Sequence, residues 1–456
     1  MEVPSSGEAD PGEWGGEQPD IHPLIARAFR VLEESGFPWV LLRGEDDLAR
    51  PDGDVDILVG ADRIQRLDGP LAAVGFRRLS ARGHGSHRFY FCYDATEDLW
   101  LKLDVVTEIT FGPLQQWQTP LARGCLKRRI RNGLLWLPAT TEQAWLQLLH
   151  IMLDKGGAVK PGRMDRVRVA GALASIDDVI AAYVDQQVGP GTAAQLLRLV
   201  RAGSSSDFRA PAVRMASAFT RNAPLRTRMT AAKSRLLRLI GPTFPGRFGR
   251  GIVVGVVGSE GPGKTALLHR LGESFPVPGR YVRLGSMGPG RWDGLLRRVP
   301  GGRFGCQTIS QTWRALAAEY HYLRGRLVLV DWPAYSIAPP RSAAAAAKDR
   351  TETALAFAVA PAPEVILVLD GPTGVLSEPG GGPADEFRKR RRHGRRDGVE
   401  RLPRTCVFDA AQPQALIQRL AAEVVWGQLA GSAAPAAAQA GSGQPGFPTP
   451  ESGGQP

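Results

Sequence analysis

The chain of 456 residues is poor in cysteine, with four in all, Cys92, Cys125, Cys306 and Cys406, and no Cys-x-x-Cys pair. That scatter argues against a zinc ribbon or a disulfide framework and suits a reducing compartment. Long apolar runs are missing too: the strongest, such as Ile252–Val257, fall far short of the ~20 residues that cross a bilayer. The first residues have neither a basic start nor an apolar core, so no secretory signal is expected and the protein is read as cytoplasmic. No internal repeat is visible. No RNA-binding signature or basic strand interleaved with aromatics is present, so nucleic acid is not expected as a partner.

What is present reads as globular, at 43% hydrophobic and 22% charged residues. The length suggests two or three domains. The net charge of +12 fits nucleic acid, an anionic membrane surface or phosphorylated substrates, and its distribution must decide among them. The most informative stretch is Gly258-Ser259-Glu260-Gly261-Pro262-Gly263-Lys264-Thr265, which fits G-x-x-x-x-G-K-[ST] at every fixed position. Ile252–Val257 before it reads as a buried parallel strand, and Ala266–Leu271 after it as a helix. Glycines let successive backbone N–H groups turn inward on phosphate oxygens, and the helix N-terminus adds its dipole. In such a loop Lys264 would reach the β- and γ-phosphates and Thr265 would ligate Mg²⁺.

Residues 1–20 are acidic and rich in Gly, Pro and Ser, and residues 431–456 are an Ala/Gly/Pro/Ser tail; both are expected to be disordered. Between them, residues 21–135 read as a small α/β unit with a mixed sheet. It comprises a helix over Leu24–Ser35, strands Trp39–Leu42 and Asp54–Val59, and alternating segments His87–Tyr93 and Leu99–Val106. Residues 136–240 read as a helical region with a basic linker. Thr140 and Gln143 fit a capping box, Trp145, Leu148, Leu149 and Met152 share one helical face, and Gly156-Gly157 closes that helix. Residues 251–430 alternate strand and helix, with core strands at Ile252–Val257, Leu327–Val330, Glu364–Leu369 and Thr405–Phe408. That alternation predicts a doubly wound parallel sheet of the α/β class.

Asp331 stands at the carboxyl end of Leu327–Val330, the edge where open parallel sheets bind ligands. It reads as a carboxylate organising either Mg²⁺ or the acceptor. Asp370 ends the next strand, and Arg388–Arg396 form a block that reads either as a solvated tract or as a lid closing over phosphates. Residues 251–430 resemble the thymidylate-kinase-like branch of P-loop nucleoside monophosphate kinases. The likeness is carried by Gly258–Thr265 with Glu260-Gly261 inside the loop, by Asp331, by the strand Glu364–Asp370, by the Arg-rich segment and by Cys406–Ala410. The resemblance implies ATP and Mg²⁺ as cofactors and phosphoryl transfer to a nucleotide or other phosphorylated small acceptor. The family's Arg after the Asp is replaced here by Trp332-Pro333, which leaves the acceptor open. Arg283, Arg291, Arg297 or Arg298 could supply a phosphate contact instead.

A second constellation lies near the N-terminus. Asp54 and Asp56 share one strand face, and Asp104 ends Leu101-Lys102-Leu103-Asp104. Three carboxylates on adjacent strands suit two divalent cations that activate an attacking oxygen. This is similar to the nucleotidyltransferase superfamily, with Asp54, Asp56 and Asp104 as the implied metal ligands; the family's Gly-Ser turn is Arg43-Gly44-Glu45 here. His150 and Lys155, on the helix after the sheet, read either as facing this site or as a packed helix residue and a solvated lysine. The pairing of the two regions resembles enzymes of bacterial surface-polysaccharide biosynthesis. Arg226 to Arg250 mixes cations with Leu236, Leu237, Leu239 and Ile240, which reads as a solvated connector or as a basic amphipathic helix for peripheral membrane contact. Three functions therefore compete: a kinase working through Lys264 and Asp331, a nucleotidyltransferase with the P-loop regulatory, and an ATP-binding adaptor without catalysis.

Overall fold

The computed structural model describes residues 20–159, 162, 164–202, 208–239, 251–258, 262–276, 280–283, 302–331, 361–370 and 404–430. The chain divides into two compact units, one of Met1–Val74, Gly83–Arg88 and Lys102–Leu237, the other of Gly75–Arg82, Phe89–Leu101 and Arg238–Pro456.

The first unit opens with α1 (Pro23–Glu34). Pro23 sits where its missing N–H costs nothing, and the His22 ring accepts a hydrogen bond from the Leu24 N–H at 3.2 Å. Ile25, Phe29 and Leu32 are buried at helical spacing. Gly36, at φ +66°, then turns the chain into β1 (Trp39–Arg43). That strand runs antiparallel to β2 (Asp54–Val59), which runs parallel to β5 (Leu99–Val106). With α2 (Asp68–Ala73) between β2 and the strands β3 (Arg77–Leu79) and β4 (Arg88–Asp94), the sheet order is β1-β2-β5-β4-β3. Two short hairpins follow that the sequence pattern did not announce, β6 (Thr110–Phe111) with β7 (Trp117–Gln118), and β8 (Ile130–Asn132) with β9 (Leu135–Leu137), flanking α3 (Leu121–Lys127).

The helical part begins with α4 (Thr140–Leu149), prolonged by a π-helical turn over His150–Asp154. It continues through α5 (Met164–Leu173), α6 (Val179–Val188), α7 (Thr192–Ala202), α8 (Arg209–Asn222) and α9 (Pro224–Arg238). The expected capping box is not formed: Ala139 occupies the cap position, Thr140 is already inside the helix, and the Gln143 amide bonds Glu45 instead. Trp145, Leu148, Leu149 and Met152 do share a core, and that core also holds Val40, Leu58 and Val106 of the sheet. The helices and the sheet edge formed by β1 and β2 therefore bury one apolar interior, and grouping by contacts does not cut the chain at residue 136.

The second unit is built on β10 (Ile252–Gly258), every residue of which is buried. After it come α10 (Pro262–Ser274), β11 (Arg280–Arg283), α11 (Gly302–Leu323), β12 (Leu327–Asp331), β13 (Val365–Asp370), β14 (Arg404–Asp409) and α12 (Gln414–Ala430). The strands pair in the order β11-β12-β10-β13-β14, all parallel. Continuous Val/Ile/Leu runs are what a parallel sheet covered on both faces requires. Val254, Val256 and Leu329 pack with Leu267, Leu271, Ala421 and Val425 on one face, while Val253, Val328 and Val330 meet Ala318 on the other. Trp100 joins the first of these cores, edge-on to Phe275 and Trp426 at 5.0 and 5.1 Å between ring centres. This packing is why residues 75–82 and 89–101 group with the second unit rather than with the rest of the N-terminal region.

One turn gives a test of the first unit. A Cβ on Gly157 (φ +79°) would lie 2.5 Å from the Phe208 carbonyl oxygen, whereas one on Gly156 (φ +59°) would meet nothing within 4 Å. Gly157→Ala should lower the unfolding free energy by about 3 kcal/mol or more and Gly156→Ala by about 1 kcal/mol, read from urea midpoints. Equal effects would contradict this packing.

Candidate active site

The carboxyl edge of the parallel sheet in the second unit gathers the first candidate. Its strand order runs from β10 outward to β11, back to β12, and then across β10 to β13 and β14. Such a reversal opens a crevice at the strand ends. Gly258 closes β10 beside Leu369 of β13. A Cβ here would stand 2.9 Å from the Leu369 carbonyl oxygen, so the neighbouring backbone itself demands glycine. Gly263 differs. A Cβ added there would meet only Leu369 Cδ1, at 4.0 Å, an ordinary contact, so nothing described in the protein requires glycine at that point of the first helical turn.

α10 starts at Pro262 and carries Lys264 and Thr265, both half-buried, on its first turn. The Lys264 ammonium donates to the Gly258 carbonyl at 2.8 Å, so the side chain folds back to the end of β10. Asp331, half-buried at the end of β12, is in register with Val256 of β10 and with Arg283 of β11. Of the four arginines weighed as phosphate contacts, Arg283 is thus the one whose backbone stands beside Asp331. Its strand, β11, was not foreseen, because Arg280–Arg283 is too short and too polar to read as a core strand. Asp370 ends β13 in register with Asp409 of β14. Ser259, Glu260 and Gly261, Trp332-Pro333, Arg291, Arg297 and Arg298, and the basic block Arg388–Arg396 lie outside the described residues.

The carboxylates of the first unit are arranged otherwise. Parallel pairing sets Asp54 opposite Lys102 and Asp56 opposite Asp104. Asp54 binds the Lys102 ammonium at 2.5 Å, and Asp56 binds the Arg43 guanidinium at 3.1 Å. Asp104, almost wholly buried, takes the His87 Nδ1 on both oxygens, at 2.8 and 3.0 Å. The three carboxylates expected to share metal ions are each engaged by a different basic side chain. Among the described residues no group of three or more His, Cys, Asp or Glu side chains is placed to hold a metal ion. Arg43, His87 and Lys102 were the unforeseen members. Lys102 was legible in principle, since Lys-x-Asp paired in parallel against Asp-x-Asp puts the lysine opposite the first aspartate.

Burial pushes the Asp56 carboxyl above its usual range; the Arg43 charge opposes this and Asp104 adds to it. His150 sits in the π turn with Nδ1 on Asp154 at 2.6 Å. Burial holds its pKa below the ordinary 6.5, the Asp154 bond opposes, and the Arg43 charge adds to the lowering. Lys155, next in the chain, is exposed and lowers it further.

No family model matches the chain, and no curated protein matches it. Among solved structures it is similar to the unliganded crystal structure of a sugar kinase from Janibacter sp. HTCC2649. The two are 19% identical over 40% of this chain and 98% of that chain, with a TM-score of 0.22. A likeness that low supports no argument about fold or activity. What stands on the geometry is an α/β protein whose parallel sheet carries a G-x-x-x-x-G-K-T segment at its carboxyl edge. No helix among the described residues is long and apolar enough to cross a membrane.

His150 gives the test of this electrostatic arrangement. A histidine with a lowered folded-state pKa binds its proton later than the unfolded chain does as pH falls. Its stabilising contribution is complete above about pH 6.5 and is lost below it. The stability difference between wild type and His150→Gln, from urea midpoints, should therefore shrink between about pH 7.5 and about pH 5.5. A constant difference would count against a buried neutral imidazole.

Proposed function

We propose that the second unit is an ATP- and Mg²⁺-dependent phosphotransferase acting on a nucleotide or nucleotide-like acceptor, as the resemblance to the thymidylate-kinase-like family implies. One observation carries the reading. Gly263 occupies a helical turn where glycine costs up to ~1 kcal/mol against alanine and where the described residues leave room for a Cβ. A glycine that packing does not require is explained by a ligand approaching the backbone, and the G-x-x-x-x-G-K-T pattern identifies that ligand as a nucleotide's phosphates.

The residues fit such a group. Mg²⁺ bound through substrate phosphates takes only one or two protein ligands, which the Thr265 hydroxyl and the Asp331 carboxylate would supply. When bound, the cation spreads the charge of the phosphates it bridges. The Lys264 ammonium would leave the Gly258 carbonyl for the β- and γ-phosphate oxygens, and there it would oppose charge that grows in the transition state. Backbone N–H groups of Ser259–Gly263 would orient the phosphates, and the dipole of α10 would favour their charge. Asp331 would orient either the cation or the acceptor, and Arg283, whose backbone is in register with Asp331, would hold an acceptor phosphate.

Nucleotidyl transfer at Asp54, Asp56 and Asp104 is the competing reading, and the pairing of every one of these carboxylates with a basic side chain weighs against it. Both are tested in one assay with Mg²⁺, ATP and a panel of nucleoside monophosphates and sugar phosphates, reading ADP and pyrophosphate separately. Acceptor-dependent ADP should fall by about a hundredfold or more in Lys264→Ala and persist in Asp54→Asn/Asp56→Asn. Pyrophosphate that disappears in the Asp pair and survives Lys264→Ala would reverse the assignment. ATP binding without either product would leave an adaptor.

Gly263→Ala separates ligand from packing. It should leave the melting temperature unchanged or raised, since helix propensity improves by up to ~1 kcal/mol, while ATP affinity by calorimetry drops about tenfold or more. A variant that binds ATP normally would remove the carrying observation.

A further inference from the structure

Helix α9 (Pro224–Arg238) is packed inside out. Its buried side chains are the polar Thr227 and Ser234. Three of its four large apolar side chains face solvent, Leu225 at 74%, Met229 at 72% and Leu236 at 67% exposure, while Leu237 is half-buried. At about 100° per residue, Leu225, Met229 and Leu236 fall within about 40° of one another, and Ala232 lies on the same line. Thr227 and Ser234 lie about 180° away. Arg228 and Arg235 flank the ridge on one side, Arg226 and Lys233 on the other; all four are exposed, and the helix contains no acidic residue.

We propose that this face of α9 docks on an anionic lipid surface, with the Leu225–Met229–Leu236 ridge entering the headgroup boundary and the flanking cations meeting lipid phosphates. A helix that puts small polar residues against its own protein and a leucine–methionine ridge outward has its apolar partner outside the described chain. The charge pattern selects which. The ridge has the spacing of a coiled-coil seam, but a second copy would set Arg228 and Arg235 against further cations with no carboxylate to answer them. Nucleic acid would meet the cations and strand the ridge. An anionic bilayer satisfies both, apolar below and negatively charged at the level of the guanidinium groups. The inference concerns the first unit alone and does not depend on phosphotransfer.

The test is co-sedimentation of the full chain with vesicles of phosphatidylcholine alone and of phosphatidylcholine mixed with phosphatidylglycerol. Binding is expected on the mixed vesicles only, weakening as salt is raised. Each of Arg228→Gln, Lys233→Gln and Arg235→Gln should cost about fivefold, and the triple variant about a hundredfold. Leu236→Gln should cost about tenfold or more. All of these positions are exposed, so the variants should melt with wild type, which separates lost docking from lost folding. Three results would overturn the proposal: no binding to the mixed vesicles, binding indifferent to these substitutions, or self-association in vesicle-free sedimentation velocity that Leu236→Gln abolishes. Binding of an oligonucleotide that needs the cations and ignores Leu236→Gln would likewise replace the bilayer with nucleic acid.

Discussion

The close approach of two strand ends fixes the geometry of the second unit. Gly258 stands against the Leu369 carbonyl so tightly that a Cβ would sit 2.9 Å from it. A side chain at Gly258 would push β10 from β13 and move the start of α10. That start sets where the Lys264 stem leaves the helix and lets its ammonium fold back onto the Gly258 carbonyl. The buried Val and Ile residues of β10 serve this placement. They wedge the strand between β12 and β13, so the loop after it emerges where the strand order reverses. Packing energy, spread over many apolar contacts, thus becomes positional precision at a few backbone atoms.

The two polar constellations of the chain follow opposite electrostatic logic. In the second unit a lysine rests on a neutral carbonyl, a weak partner that an anion readily displaces. In the first unit three carboxylates are each matched with a basic side chain, and one of them, Asp104, is almost wholly buried by the sheet. A divalent cation arriving there would have to compete with Lys102, Arg43 and His87. Removing Arg43 or His87 would leave the Asp56 or Asp104 charge uncompensated in a partly or wholly buried place, a costly state, whereas the Lys102–Asp54 pair is exposed. The arrangement reads as one that holds β1, β2 and β5 together.

Much of the fold was legible because the apolar pattern was strong. Asp54–Val59 and Leu99–Val106 appear at the expected bounds, and the four core strands of the second unit appear within a residue of theirs. Apart from β14, where only Phe408 is buried, these are the segments whose burial dictates their sequence. Short or polar elements left no such mark: β8 is exposed throughout, β6 and β7 span two residues each, and β11 carries two arginines in four residues. The capping box failed for a related reason. Thr140 and Gln143 satisfy the local rule, but Gln143 is drawn to Glu45, distant in sequence, and tertiary pairing overrides the local cap. At the candidate sites, the glycines and lysine of the loop could be read from spacing. Of the partners of Asp54, Asp56 and Asp104 only Lys102 left a trace in the spacing, and reading even that one needs the parallel register, which is a property of the folded sheet.

The domain division shows the same limit on a larger scale. Composition separates residues 21–135 from a helical stretch, yet Trp145, Leu149 and Met152 of that stretch share a core with Val40 and Leu58. Trp100 of the N-terminal sheet meanwhile packs on Phe275 and Trp426. A compact unit is defined by which apolar faces bury one another, and neither composition nor chain order records that pairing. Helix α9 makes the point in reverse. Its spacing announces an amphipathic helix, and the usual inference would turn the leucines inward. The structure buries Thr227 and Ser234 instead, so the pattern specified the two faces of the helix and left open which of them the protein keeps for itself.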